Sequence, residues 1–225
     1  MFSLVEANDP VHLTILRERV SPERLSPYLR HGDGHLAGAF DMYDWNVAMA
    51  ASLSEDLERL EVVLRNAIHD QLVGWHAARG GRGNWFDQRR MLEPRRNEDV
   101  ETARRRLLHP ETPGRIVAEL SFGFWRYLLT SRYEKTLWTP AVRHAFPQLK
   151  PQRRRTVHDR VQRLHQLRNR IAHREPVWRR DVAADHANVL TVASYICPHA
   201  HAWISRASTV RSVLANRPRG RRASP

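Results

Sequence analysis

Residues 39–73 contain neither glycine nor proline, and apolar side chains recur along this stretch at steps of three and four. That spacing places side chains on one face of an α-helix. The pattern therefore predicts a long amphipathic helix whose apolar stripe packs into a core. The stripe residues are Leu53, Leu57, Leu60, Leu64, Ile68 and Leu72.

The rest of the chain follows the same helical pattern, and no segment has the alternating apolar residues and hairpin turns of a β-sheet. The other long helices are predicted over residues 97–108, 116–129, 151–174 and 181–205, the last of them kinked at Pro198. Several helices around one core form an all-α helical bundle. We therefore predict an all-α fold.

The domain boundary is predicted from composition. A chain of 225 residues forms one domain or at most two, and 41% hydrophobic residues with 27% charged residues is typical of a globular protein. We expect residues 1–205 to form a single helical domain. Residues 206–225 combine arginine with proline and glycine, so we expect a basic, disordered tail there.

Several classes of protein are excluded by composition. The single cysteine, Cys197, excludes a disulfide framework and a zinc site built from cysteines alone. Cys197, His199 and His201 have no second ligand pair at a suitable spacing, so we expect no metal and no other cofactor. No apolar run approaches the roughly 18 residues of a membrane span. The N-terminus lacks the pattern of a signal peptide, and we expect a cytoplasmic protein without membrane association.

The net charge of +13 favours a polyanionic partner, most simply a nucleic acid. Arginine supplies nearly all of the positive charge, because Lys135 and Lys150 are the only lysines. Runs of arginine can follow an RNA backbone, although solvated helix faces have the same composition. The residues predicted to contact RNA are Arg104, Arg105, Arg153, Arg154, Arg170 and Arg174.

The helix predicted over residues 151–174 carries the residues best suited to chemistry. Its apolar stripe of Val157, Val161, Leu164 and Ile171 continues through Arg168. A buried arginine is costly, so Arg168 requires a partner carboxylate, a water-filled cleft or an anionic ligand.

A polar ridge lies beside this stripe. His165, Asn169 and His173 follow one another at steps of four on the same helix. The helix is predicted to end at Glu175, because the residue before Pro176 avoids helical backbone angles.

Arg168 and His173 together form an R-x4-H motif, which is similar to the signature of HEPN domains, a superfamily of helical ribonucleases. The wider chain resembles the Abi-like, or abortive-infection, branch of that superfamily over roughly residues 20–205. The resemblance depends on several short segments in this order: DMYDWN at 41–46, EVVLRNAI at 61–68, LSFGFW at 120–125 and LRNRIAHREP at 167–176.

The resemblance implies a HEPN-type bundle with additional helices, acting as a metal-independent RNA endonuclease in phage defence or in a toxin–antitoxin system. Arg168 would hold the phosphate, His173 would transfer protons and Asn169 would position His173 or donate to the phosphate. The residue types fit, since an imidazole titrates near neutral pH and a guanidinium stays charged. The resemblance also implies a homodimer and, as further partners, an antitoxin protein or a regulatory RNA.

Four more residues are predicted to support this motif: Glu61, Arg65, Asn66 and His165. Glu61 has two alternatives, an ion pair across the bundle with Arg168 or a local pair with Arg65 one turn away. The sequence Arg65–His69 echoes the motif, with His69 one residue early, and a surface helix face explains it more simply.

Two other functions remain open at this stage. One is a non-catalytic HEPN module that binds RNA or a protein partner and uses the R-x4-H pair only for phosphate. The other is the toxin of a nucleotidyltransferase pair, in which a tyrosine follows the histidine by two residues. Glu175 occupies that position here and counts against it.

Overall fold

The long apolar stripe lies in helix α3, which spans Leu36–Ala78 in a computed structural model of the chain. All six residues of the stripe are buried, with at most 4% of each exposed. The prediction of a long amphipathic helix is therefore confirmed. The helix also includes Gly74, and it ends before a turn in which Gly80 has a φ of 72°.

The structure describes residues 9–31 and 34–218, and within these ranges every regular element is helical. This confirms the all-α fold class. The α-helices are α1 Pro10–Val20, α2 Pro22–His31, α3 Leu36–Ala78, α4 Pro94–Arg106, α5 Pro113–Glu119, α6 Phe122–Leu128, α7 Arg154–Ala172, α8 Val182–Ile196, α9 Pro198–Ala207 and α10 Val210–Ala215. Shorter 3-10 or π-helical turns cover Trp85–Asp87, Ser131–Tyr133, Glu134–Trp138 and Val142–Ala145.

The contacts of the chain divide it into two compact units. Among the described residues, the first unit comprises 9–31, 34–53, 176–183 and 209–218. The second comprises Ser54–Glu175 and Ala184–Ser208, and it contains every residue of the predicted site.

In the first unit, a buried amide holds the segment that follows the motif. Oδ1 of Asn46 accepts hydrogen bonds from the backbone amides of Val177 and Trp178, at 2.8 and 3.1 Å. Both apolar side chains are buried there. Residues 177 and 178 are thus anchored by hydrogen bonding as well as by burial.

In the second unit, the core is formed by the apolar faces of α3, α6 and α7. It includes several aromatic side chains, a residue type that stacks on nucleic-acid bases when it is exposed. Trp45 in the first unit, and Phe122, Phe124, Trp125 and Trp138 in the second, are each at most 5% exposed. These aromatic residues are core residues and cannot stack on a nucleic-acid base.

Residues 116–129 form two helices rather than the single helix predicted. The backbone is extended at Leu120, and Ser121 begins α6 by accepting a hydrogen bond from the amide of Phe124 at 3.3 Å. A serine whose side chain caps a helix terminates the preceding one. Similarly, Cys197 is extended and Pro198 starts α9, so residues 181–205 contain a helix boundary instead of a kink.

The basic, disordered tail predicted from residue 206 is wrong for residues 206–218. Helix α9 continues to Ala207, and α10 follows it. Val210 is buried, Trp45 donates to the carbonyl of Val213 at 2.8 Å, and the hydroxyls of Ser52 and Thr209 are 2.8 Å apart. These long-range contacts hold a segment whose composition resembles a linker. Residues 219–225 lie outside the described residues.

Candidate functional site

Helix α7 carries the R-x4-H motif in its last turns and at its C-cap. The core side of α7 consists of Val157, Val161, Leu164 and Leu167, all fully buried. The other side of the helix remains polar and half-buried or exposed. The motif is therefore presented by a helix whose rotation is determined by its apolar face.

The C-terminal end of α7 has the geometry of a Schellman motif. The amide of Glu175 donates to the carbonyl of Arg170, and the amide of Arg174 donates to that of Ile171, each at 2.9 Å. Arg174 has a φ of 55°, in the left-handed region. His173 is the C-cap residue, and the prediction that the helix ends before Pro176 is confirmed.

Arg168 is exposed, so the prediction that it lies on a buried stripe is wrong. The buried stripe stops at Leu167, and Ile171 in the next turn is only half-buried. Arg168 nevertheless lines a space beside α3. The core has ended at this level of the helix, and a cleft takes its place.

This cleft lies between the C-terminal end of α7 and α3 and has a volume of about 160 Å³. Arg168 and Ile171 line it from α7, and Glu58 and Glu61 line it from α3. Two carboxylates and one guanidinium thus share a small space. Arg168 therefore lies in a cleft lined by carboxylates, and both a cleft and a carboxylate were among the surroundings predicted for it.

Glu61 lies close to both Arg168 and Arg65. Burial raises the pKa of the Glu61 carboxyl, and the Arg168 guanidinium opposes this rise, followed by Arg65 and by the donated amide of Phe122. Within the described ranges, no carboxylate comes within ion-pair distance of Arg168. The Glu61 carboxylate therefore attracts Arg168 without forming an ion pair with it, and it also accepts from the amide of Phe122, the first residue of α6.

His173 is exposed, and Asn169 is half-buried one turn before it. The amide of His173 donates to the carbonyl of Asn169 at 2.9 Å. Among the residues that the structure describes, none forms a hydrogen bond or ion pair with the His173 imidazole. The imidazole and the Arg168 guanidinium are thus both accessible, and neither forms a hydrogen bond or ion pair with a described residue.

The other supporting residues have different surroundings. Arg65 donates from Nη1 to the carbonyl of Ala118 at 3.2 Å, beside the end of α5. Asn66 is exposed on α3 and does not line the cleft. His165 is half-buried, with its ring 6.0 Å from that of Phe122. The structure brings Glu61 and Arg168 together, but not Asn66.

Three of the six arginines predicted to contact RNA form intramolecular ion pairs, and two of these, Arg104 and Arg154, have side chains that are at most 24% exposed. Arg104 pairs with Asp87, with Glu101 at 2.8 Å and with Glu111 at 3.2 Å. The side chain of Arg154 is 11% exposed; it pairs with Glu134 at 3.2 Å and donates to the carbonyl of Leu129 at 2.8 Å. These contacts give both arginines a structural role.

The remaining four arginines of that prediction are more accessible. Arg105 and Arg153 are exposed, and Arg105 donates to Thr102 at 2.9 Å. Arg174 is exposed, and Arg170 is half-buried and pairs with Glu175 at 3.3 Å. Arg105, Arg153 and Arg174 thus keep exposed side chains that can approach an RNA backbone.

Sequence reasoning missed Arg126, a half-buried arginine in α6 that lies close to His165. A signal was present, because Arg126 interrupts the otherwise apolar and aromatic segment from Phe122 to Leu129. A charged residue inside an apolar run requires a partner or a ligand.

Comparison of the chain with protein-family models, with curated proteins and with solved structures finds no match. In the described part of the chain, no helix combines the length and the apolar character needed to cross a membrane. Residues 9–31 and 34–218 contain no group of three or more His, Cys, Asp or Glu side chains placed to hold a metal ion.

Proposed function

We propose that this chain is an Abi-like HEPN protein, a metal-independent RNA endonuclease that acts as a cytoplasmic homodimer in phage defence or in a toxin–antitoxin system. The observation that carries the proposal is the end of α7. An accessible guanidinium and an accessible imidazole lie there on one short segment, each without an intramolecular hydrogen bond or ion pair among the described residues.

The proposed reaction needs only groups of the chain and of the RNA, together with water. His173 accepts the proton of a ribose 2′-hydroxyl, and the 2′-oxygen attacks the adjacent phosphorus. The bond from phosphorus to the 5′-oxygen breaks, the departing oxygen takes a proton from water, and the protonated His173 then gives its proton back to solvent. Arg168 holds the phosphate and the negative charge that develops on it. The products carry a 2′,3′-cyclic phosphate and a 5′-hydroxyl, and DNA is not cut.

The acidic cleft supports this arrangement. The Glu61 carboxylate attracts Arg168 from the side of α3 and is itself held by the amide of Phe122. A guanidinium restrained in this way loses less conformational entropy when it binds phosphate. Glu61 is therefore a positioning residue for Arg168.

The test is cleavage of end-labelled RNA in EDTA by the full-length protein. We expect the wild type to cut and to leave a cyclic phosphate, and we expect His173→Ala and Arg168→Ala each to lower the rate by roughly 10²–10⁴-fold. The matched controls are His199→Ala and Arg163→Ala, which remove an exposed histidine of α9 and an exposed arginine on another face of α7. These controls should cleave like the wild type.

Three outcomes would overturn the proposal. Cleavage that persists in His173→Ala removes the assigned proton acceptor, and cleavage that stops in EDTA indicates a metal enzyme. A wild type that binds RNA without cutting it, with the same affinity and cellular toxicity as His173→Ala, establishes the non-catalytic module.

A further inference from the structure

Beside the R-x4-H motif, the face shared by α6 and α7 carries a second arginine that lacks a negative partner. Nη1 of Arg126 on α6 donates to Oε1 of Gln162 on α7 at 2.9 Å. Gln162, His165 and Arg168 follow one another at steps of three along α7 and form a ridge. Arg126 contacts this ridge at Gln162, and Arg168 is its other end. The six residue steps from Gln162 to Arg168 span about 9 Å of helix.

The charge of Arg126 is not compensated. Its Nε atom is buried without a hydrogen-bond partner, and no carboxylate of the described residues pairs with the guanidinium. Its charged neighbour is Arg96, and the two guanidinium carbons lie 5.7 and 4.6 Å from the ring centroid of Tyr127. Asp99 neutralises Arg96 at 2.7 Å, which leaves Arg126 as a half-buried cation without a counter-charge.

His165 is close enough to both Arg126 and Arg168 to be influenced by their charges, and neither arginine forms an ion pair with a described carboxylate. Burial lowers the pKa of its imidazole, and Arg126 and Arg168 lower it further. Its ring is tilted by 30° relative to that of Phe122, and a Cβ atom at Gly123 would lie 3.2 Å from its Nε2 atom. Of the described residues, none forms a hydrogen bond with this imidazole. An unpartnered polar ring near two cations is a place where an anion relieves both the repulsion and the missing hydrogen bonds.

We propose that Arg126, His165 and Arg168 form a phosphate-binding subsite that holds the RNA backbone next to the phosphate being cleaved. This inference rests on the proposed function, which assigns the scissile phosphate to Arg168 and His173. The RNA strand then runs from the C-terminal end of α7, along the ridge of His165, toward Gln162 and Arg126. Arg126 contacts a neighbouring phosphate and takes no part in the reaction itself.

The first test is the affinity for a single-stranded RNA oligonucleotide that is 2′-O-methylated throughout and therefore cannot be cleaved. We expect Arg126→Gln to weaken binding by about tenfold and to reduce the slope of log affinity against log salt by about 0.7, the value for one phosphate contact on a single strand. Arg126→Lys keeps the positive charge and should lose less affinity for the RNA than Arg126→Gln. Arg163→Gln, on another face of α7, should bind like the wild type. Equal affinities of Arg126→Gln and Arg163→Gln would overturn the subsite.

The second test uses the wild type alone and remains valid if the Arg126 variants do not fold. In an NMR titration, saturation with the same RNA should raise the pKa of His165, because a bound phosphate offsets the two guanidiniums. A pKa that does not move contradicts the proposal. An equal rise with inorganic phosphate at the same concentration identifies a site for free phosphate and overturns the RNA subsite.

Both tests use RNA that cannot be cut, so they are independent of catalysis. A protein that cleaves RNA through His173 but binds equally well with and without the Arg126 charge keeps the proposed function and loses the subsite. A protein that binds RNA through Arg126 without cutting it keeps the subsite and loses the proposed endonuclease function.

Discussion

His69 and His165 are both half-buried histidines whose pKa burial lowers, yet their hydrogen bonding differs. Nε1 of Trp85 donates to Nδ1 of His69 at 3.0 Å, so this nitrogen must be unprotonated. His165 has no such bond and lies instead near Arg126 and Arg168. The motif-like order from Arg65 to His69 is thus explained by packing against Trp85, and the surface helix face predicted there is wrong for His69.

The bond between Trp85 and His69 predicts a pH dependence of stability. Above the ordinary histidine pKa of about 6.5, His69 is neutral in both the folded and the unfolded state. As the pH falls below that value, the unfolded chain binds the proton more readily than the folded one, so the free energy of unfolding decreases until the folded pKa is passed. We expect His69→Asn, which keeps an acceptor for Trp85 but does not titrate, to lose less Tm than the wild type between about pH 7.5 and pH 5.5. Equal losses in the two proteins would show that His69 does not contribute.

At the scale of elements, the ends of α6 and α7 determine the site. The side chain of Ser121 starts α6 so that the amide of Phe122 faces the Glu61 carboxylate. The left-handed residue Arg174 ends α7 and places His173 at the C-cap. Two local backbone features, rather than a large pocket, therefore arrange the candidate catalytic groups.

The left-handed backbone at Arg174 predicts an unusual effect of glycine. A residue with a Cβ is strained there, and glycine is not. We expect Arg174→Gly to be more stable than Arg174→Ala by about 1 kcal/mol, because both variants lose the same side chain and differ only in this strain. Chemical denaturation of the two variants measures the difference. An alanine variant at least as stable as the glycine variant would mean that α7 does not end in this conformation.

For the whole molecule, the net charge of +13 overstates the charge that is available to RNA. Arg104 is surrounded by three carboxylates, and Arg154 is almost buried in an ion pair. Arg105, Arg153 and Arg168 keep exposed guanidiniums that do not pair with a described carboxylate. Binding of RNA should therefore depend on a subset of the arginines.

Arg153 and Arg154 are adjacent in the chain and test this directly. We expect Arg153→Ala to reduce the salt slope of binding to the uncleavable RNA by about 0.7 with little change in stability. Arg154→Ala should lower the free energy of unfolding by about 1.5–3 kcal/mol, the range for hydrogen bonds to a charged group, with a smaller change in slope. Salt titrations and denaturation curves of both variants provide the measurement. Matching changes in slope would refute the distinction between paired and available arginines.

Much of the candidate site followed from local pattern. The apolar stripe of α3 was predicted because helical spacing alone selects one face, and the end of α7 was predicted because Pro176 excludes helical angles at Glu175. The Glu61–Arg168 relationship was left as one of two alternatives, because steps of three and four describe a single helix and not its neighbour.

The amino-acid sequence by itself determined the helical class, the leucine stripe of α3 and the position of the R-x4-H segment at a helix end, because spacing and capping are interactions between near neighbours. Only the tertiary structure decided that Arg168 is exposed in an acidic cleft, that Arg104 and Arg154 are paired, and that residues 210–215 are helical. Those outcomes depend on groups far apart in the chain. Arg104 meets Asp87 across 17 residues, and Arg154 meets Glu134 across 20, so burial and charge compensation follow only once the helices have packed.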